Sequence, residues 1–160
     1  DWRLELKNGR SSAAHDSCQG IEAMKTCLIV EDSALIREIA ARIVKELGFE
    51  AKEAERADQA IAQVRDAKPD IVLLDWDLPT LGALDFLRGA GELEADARPP
   101  IVLCATENDP EQFKLAKAAG AAFHVMKPFD VHTIGAAFAD AGVIAKTDIP
   151  KTAQSDRAAS

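Results

Sequence analysis

Residues 71–79 read Ile71-Val72-Leu73-Leu74-Asp75-Trp76-Asp77-Leu78-Pro79. Four apolar residues in a row, set off by Pro69 upstream and by carboxylates downstream, are the pattern of a short strand buried on both faces. Such strands belong to parallel sheets covered by helices. A charge at the end of a buried strand needs a partner, so Asp75 directs attention to whatever else the fold brings to that edge.

Outward from this strand the chain alternates. Upstream, Cys27 to Val30 repeats the buried-strand pattern, and Ser33 is placed to cap a helix. Leu35, Ile36, Ile39, Ile43, Val44 and Leu47 recur there at helical spacing, and Gly48 ends the helix. Phe49 to Ala54 is a short strand, and Asp58 to Ala67 a helix with Ile61 and Val64 on one face. Downstream, a helix is expected around Leu84 to Leu93, then a strand at Ile101 to Cys104. A helix at Pro110 to Ala119 closed by Gly120, a strand at Ala122 to Met126 and a last helix at Val131 to Ala141 follow. Strands separated by helices pair in parallel through right-handed crossovers. The expected architecture is α/β: an open, doubly wound parallel sheet with helices on both faces. It binds ligands at the carboxyl ends of its strands.

Composition narrows the function. The 160 residues carry 27 acidic and 19 basic side chains, a net charge of -8, which gives no electrostatic footprint for nucleic acid or anionic lipid. An apolar fraction of 48% with 29% charged residues suits a globular chain, and no apolar run approaches a membrane span. Cys18, Cys27 and Cys104 are an odd count without a close pair, which argues against a disulfide framework or zinc knuckle and for a reducing, cytoplasmic setting. Asp1 to Ala23 is polar and aperiodic, and Met24 reads as a fresh start. Residues 1–23 are therefore expected to be an extension or vector-derived segment, residues 24–143 one domain, and residues 144–160 a flexible tail.

The strand ends collect Glu31-Asp32, Asp75-Trp76-Asp77, Ala105-Thr106-Glu107 and Lys127-Pro128-Phe129. If the first and third strands are neighbours, Glu31, Asp32 and Asp75 converge. Three carboxylates so close repel one another unless a cation sits among them. A hard divalent ion such as Mg²⁺ is the natural partner. Lys127 adds a fixed positive charge, and the set suits a phosphoryl group, with Asp75 as nucleophile. Taken singly, Glu31-Asp32 is also an acidic helix start and Lys127-Pro128 an ordinary turn; the joint spacing carries the reading. His15 lies in the extension, His124 and His132 are taken as surface or packing residues, and Cys27 and Cys104 as inert core.

Val30-Glu31-Asp32-Ser33, Lys45-Glu46-Leu47-Gly48-Phe49, Leu74-Asp75-Trp76-Asp77-Leu78-Pro79 and Lys127-Pro128-Phe129 together resemble the receiver domain of two-component response regulators, over 24–143. Within that family the chain is most similar to stand-alone, chemotaxis-type receivers. The resemblance implies a flavodoxin-like five-stranded sheet in the order 2-1-3-4-5. It implies a phosphorelay in which a histidine kinase or phosphotransfer protein phosphorylates Asp75. Mg²⁺ would be held by Asp32, Asp75 and the backbone carbonyl of Asp77, with Glu31 acting directly or through water, and Lys127 would bind the phosphate. It implies a binding switch without enzymatic turnover, acting on a protein target through about Pro110 to Ala141, with neither nucleic acid nor membrane insertion.

Three departures bear on this. The family's hydroxyl after the fourth strand falls on Ala105, with Thr106 one residue late, and a one-residue slip turns a side chain the other way. The usual Asp-Gly of the following turn is Gly82-Ala83, so an altered turn is expected. The aromatic switch position is His124, and Asp77 adds a carboxylate near the expected phosphate. Two alternatives stay open. One is a receiver that works without phosphate or through another ligand, such as a cyclic dinucleotide, for which the tail supplies only Lys146, Lys151 and Arg157. The other, weaker one is a phosphatase of the haloacid dehalogenase type built on Asp75-Trp76-Asp77.

Overall fold

The computed structural model describes residues 24–150; the expectations for residues 1–23, with His15 and Cys18, and for 151–160 lie outside them. Five strands form one parallel sheet: β1 (Lys25–Val30), β2 (Phe49–Ala54), β3 (Ile71–Asp75), β4 (Ile101–Ala105) and β5 (Phe123–Met126). Their order is β2-β1-β3-β4-β5, as the resemblance implied. The chain leaves β1 for β2 on one side and returns to β3 on the other, so the switch point lies between β1 and β3. In register, Val30 faces Leu74 and Asp75 faces Cys104.

The five α-helices among the described residues are α1 (Ala34–Glu46), α2 (Ala57–Ala67), α3 (Gly82–Gly91), α4 (Pro110–Ala118) and α5 (Val131–Asp140). Alternation along the strands sorts the core into two layers. Cys27, Ile29, Ile71, Leu73, Val102 and Cys104 point to the face covered by α1 and α5, where Phe49 meets Phe138 edge-on at 5.0 Å. Leu28, Val30, Val72, Leu74, Ile101 and Leu103 point to the face covered by α2, α3 and α4. The Ser33 hydroxyl caps α1 by accepting from the Ile36 N–H at 3.3 Å, and Gly48, at φ +94°, follows that helix.

Two sequence expectations are corrected. The helix expected around Leu84 to Leu93 is α3, two residues earlier, and it follows a 3-10 turn at Pro79–Leu81. In this turn Thr80 and Leu81 take left-handed φ values of 53° and 59°, while Gly82 is helical at φ -60°. Gly82 is needed for space instead: a Cβ there would stand 3.0 Å from Leu78 Cβ. Second, the tail expected from residue 144 is still packed at Ile149. Ile144 lies against the α1–α5 layer, and Ile149 fills the notch left by Gly135, where a Cβ would stand 3.0 Å from the isoleucine side chain. The Lys25 ammonium donates to the Val143 carbonyl beside it. Two isolated isoleucines have no period that a sequence reading detects.

Candidate functional site

The buried polar side chains of the described residues are Glu31, at the end of β1, and Asp75, at the end of β3. Both sit at the carboxyl edge beside the switch point. They are there because β1 and β3 are anchored by apolar side chains in both core layers, which push the next residues out at the same level. Asp75 is 3% exposed. Lys127, carried by the end of β5, places its ammonium 2.9 Å from Asp75 Oδ1 and 3.1 Å from Glu31 Oε1. The Lys127–Pro128 peptide is cis, and the Lys127 N–H donates to the Ala105 carbonyl.

Asp75 Oδ1 accepts a second bond, from the Asp77 N–H at 3.0 Å. Both bonds to this carboxylate fall on one oxygen, which leaves Oδ2 without a donor among the described residues. Glu31 Oε2 accepts from the Ser33 N–H at 3.2 Å, and the Arg37 guanidinium holds the Glu31 carbonyl at 2.9 Å. Burial raises the Glu31 carboxyl above its ordinary range and the charge of Asp75 adds to this, while Lys127 and the Ser33 N–H oppose it. Burial works to lower the Lys127 ammonium, but its bonds and charge interactions with Asp75 and Glu31 outweigh that, and the net shift is upward.

Carboxylate oxygens of Glu31, Asp32 and Asp75 lie within 4.8 Å of one another. Three hard oxygen donors against one lysine leave an excess of negative charge that fits a hard divalent cation. Asp32 is exposed beside its two buried partners, and the Asp77 carbonyl accepts no hydrogen bond among the described residues, so both have capacity for it.

The remaining expected residues are placed as follows. Ala105 ends β4 and is buried at 2% exposure; it offers no hydroxyl. Thr106 is exposed at the rim, and its hydroxyl donates to Asp77 Oδ2 at 3.1 Å instead of to Asp75. His124 is exposed on β5 with its ring stacked on Phe113 of α4, centroids 4.1 Å apart. His132 packs in the first turn of α5, with Nε2 buried and unpaired among the described residues. Cys27 and Cys104 are inert core: burial pushes the Cys27 thiol well up and that of Cys104 to about 12.

Sequence reasoning missed Trp76. Its backbone N–H donates to the Cys104 carbonyl at 2.9 Å, and its indole Nε1 donates to Gln112 Oε1 of α4 at 3.1 Å. A partly buried tryptophan needs a partner for its N–H, which was the available signal; the identity of that partner was not.

Comparison with known proteins agrees with this geometry. The family profile of the response regulator receiver domain matches residues 27–139. The phosphate regulon transcriptional regulatory protein PhoB of Pseudomonas aeruginosa is 36% identical over 105 residues, 66% of this chain and 46% of that protein. The DNA-binding response regulator MtrA of Mycolicibacterium paratuberculosis is 34% identical over 102 residues, 64% of this chain and 44% of that protein. The chain thus spans less than half the length of these curated relatives. The structure of the chemotaxis response regulator CheY4 of Vibrio cholerae superposes with a TM-score of 0.68 at 26% identity, covering 74% of this chain and 99% of CheY4.

Proposed function

Because the chain belongs to the response regulator receiver domain family and is thus a two-component receiver domain, we propose that it accepts a phosphoryl group on Asp75 from a histidine kinase or phosphotransfer protein and uses it to switch a protein-binding surface. The observation that carries this is the buried Asp75 carboxylate, with one oxygen held by Lys127 and the Asp77 N–H and the other without a donor. The open oxygen is the nucleophile. Lys127 orients Asp75 and then offers its positive charge to the incoming phosphoryl oxygens. Glu31, fixed by Lys127 and Ser33, keeps the lysine on the acceptor's side of the cleft.

Glu31, Asp32, Asp75 and the Asp77 carbonyl would hold Mg²⁺. When bound, it neutralises charge on the transferring phosphoryl group. The proposal includes a cytoplasmic setting and a switch that does not turn over a small-molecule substrate. No helix among the described residues is long and apolar enough to cross a membrane. The target surface is α4, β5 and α5, where His124 and Phe113 stack. The net charge of -8 favours a protein over nucleic acid as the target. The single-domain, chemotaxis-like role is part of the proposal, and the likeness to CheY4, which spans nearly all of that chain, supports it.

The test is intact mass after incubation with acetyl phosphate and Mg²⁺, beside Asp75→Asn. A gain of about 80 Da, one phosphoryl group, in the wild type alone is expected. A wild type that keeps its mass and does not respond to beryllofluoride by NMR would overturn the reading.

A further inference from the structure

We propose that α4 reads the state of Asp75 through Trp76, whose indole ties the acceptor segment to Gln112 at the start of that helix. This rests on the phosphoacceptor reading and adds the route by which the site reaches the output surface. Trp76 follows Asp75 directly, so a change in the acceptor's backbone moves it. Its own N–H is fastened to β4 at the Cys104 carbonyl, which leaves the side chain as the part that reaches outward. The indole crosses 36 positions of sequence to Gln112 Oε1, 3.1 Å away. Gln112 lies in the first turn of α4, where Asp109 Oδ1 accepts its N–H at 3.4 Å.

The helix at the other end of this bond is weakly anchored. Ala116 is the one buried residue of α4, and Leu115 is 48% exposed. A helix with so little buried surface is drawn from the low-stability part of a fold, so one directed bond has leverage over its position. A second bond runs from the same segment to the stretch that leads into α4: Asp77 Oδ2 accepts from Thr106 Oγ1 at 3.1 Å. The route through a hydroxyl at the end of β4 is closed, because position 105 is a buried alanine and Asp77 engages the hydroxyl of Thr106.

Phosphorylation changes what this segment is tied to. The bond from Asp75 Oδ2 to phosphorus forms as the bond from phosphorus to the donor's leaving atom breaks; with acetyl phosphate, acetate departs with the electron pair. The anionic carboxylate becomes an acyl phosphate, and Oδ1 becomes a carbonyl, a weaker acceptor for the Asp77 N–H now 3.0 Å away. Residues 75–77 then re-pair, and Trp76 carries that change to Gln112.

The test compares the full chain with Trp76→Phe, Gln112→Ala and Gln112→Glu, each with Mg²⁺ and acetyl phosphate. Intact mass reads the adduct, and amide NMR reads Asp75, Lys127 and α4 separately. Trp76→Phe keeps an aromatic ring, though a smaller one, and removes the N–H, and Gln112→Glu keeps an acceptor. Expected is a wild-type adduct in every variant and wild-type shifts at Asp75 and Lys127. The α4 shifts should shrink about threefold in Trp76→Phe and Gln112→Ala and recover in Gln112→Glu, as a population shift requires. Full α4 shifts in Trp76→Phe and Gln112→Ala overturn the proposal, and so does Gln112→Glu behaving like Gln112→Ala. An adduct in the wild type with a silent α4 overturns this proposal alone, whereas a wild type without an adduct overturns the phosphoacceptor reading as well.

Discussion

At the carboxyl edge of β3, Asp75 is 3% exposed and sits on a strand whose every residue is buried; α4, under 40 residues away in sequence, buries Ala116 alone. Asp75 is held by two core layers, by Lys127 and by the Asp77 N–H. The helix is held by Ala116, by Phe113 against His124 and by the Trp76–Gln112 bond. Phosphoryl chemistry needs atoms placed in advance, which a packed strand end supplies. A reporting element needs two arrangements of similar free energy, which a heavily buried helix would not have. The fold places a stiff site and a lightly held helix side by side.

The largest expected effect breaks the stiff side. Lys127→Met leaves Glu31 and Asp75 buried without their cation, and urea unfolding in metal-free buffer should show a loss of about 3 kcal/mol. Added Mg²⁺ should recover part of it. Because the folded-state lysine is raised above its ordinary value, its contribution is complete below about pH 10.5 and fades as pH rises through the folded value. The gap between wild type and variant should therefore hold as pH rises to about 9 and narrow only on the acid side, where the Glu31 carboxyl, raised further without Lys127, takes up a proton; a gap that closes as pH rises to about 9 would refute the assignment.

Next comes the turn between the two regions. Thr80 and Leu81 occupy the left-handed region without being glycine, and Leu81 is 71% exposed, so Leu81→Gly removes strain and little packing. A gain of about 1 kcal/mol in urea is expected; a loss would mean that the Leu81 side chain has a packing role. The smallest effect sharpens the other side. Leu115→Ala on α4 should change stability by less than about 0.5 kcal/mol, and a loss above 2 kcal/mol would show that α4 is not lightly held.

The legible parts of the sequence were those with a local signature. Asp75 stood out because a carboxylate directly after four apolar residues conflicts with burial unless it is partnered. Ser33 and Gly48 marked their helix ends for equally local reasons. The turn was less legible because a glycine in it invites the left-handed assignment, while here Gly82 serves the close approach of Leu78 and the two residues before it, Thr80 and Leu81, take the unusual φ. The partner of Trp76 was illegible because nothing periodic links positions 76 and 112. Thr106 was visible as a candidate, but whether its hydroxyl faces Asp75 or Asp77 depends on the path of the chain beyond β4.

The sequence by itself determined the strand-helix alternation, the two-sided burial of the central strands and the identity of the acidic and basic residues at the strand ends. These follow from periodicity and from the cost of burying charge, both properties of short stretches. Tertiary structure alone decided which oxygen of Asp75 stays open, where the Thr106 hydroxyl goes, that Ile149 fills the notch over Gly135, and that the Trp76 indole bonds Gln112 of α4. Each depends on two segments meeting at hydrogen-bond or van der Waals range, and that distance is set by how the layers pack and not by either segment alone.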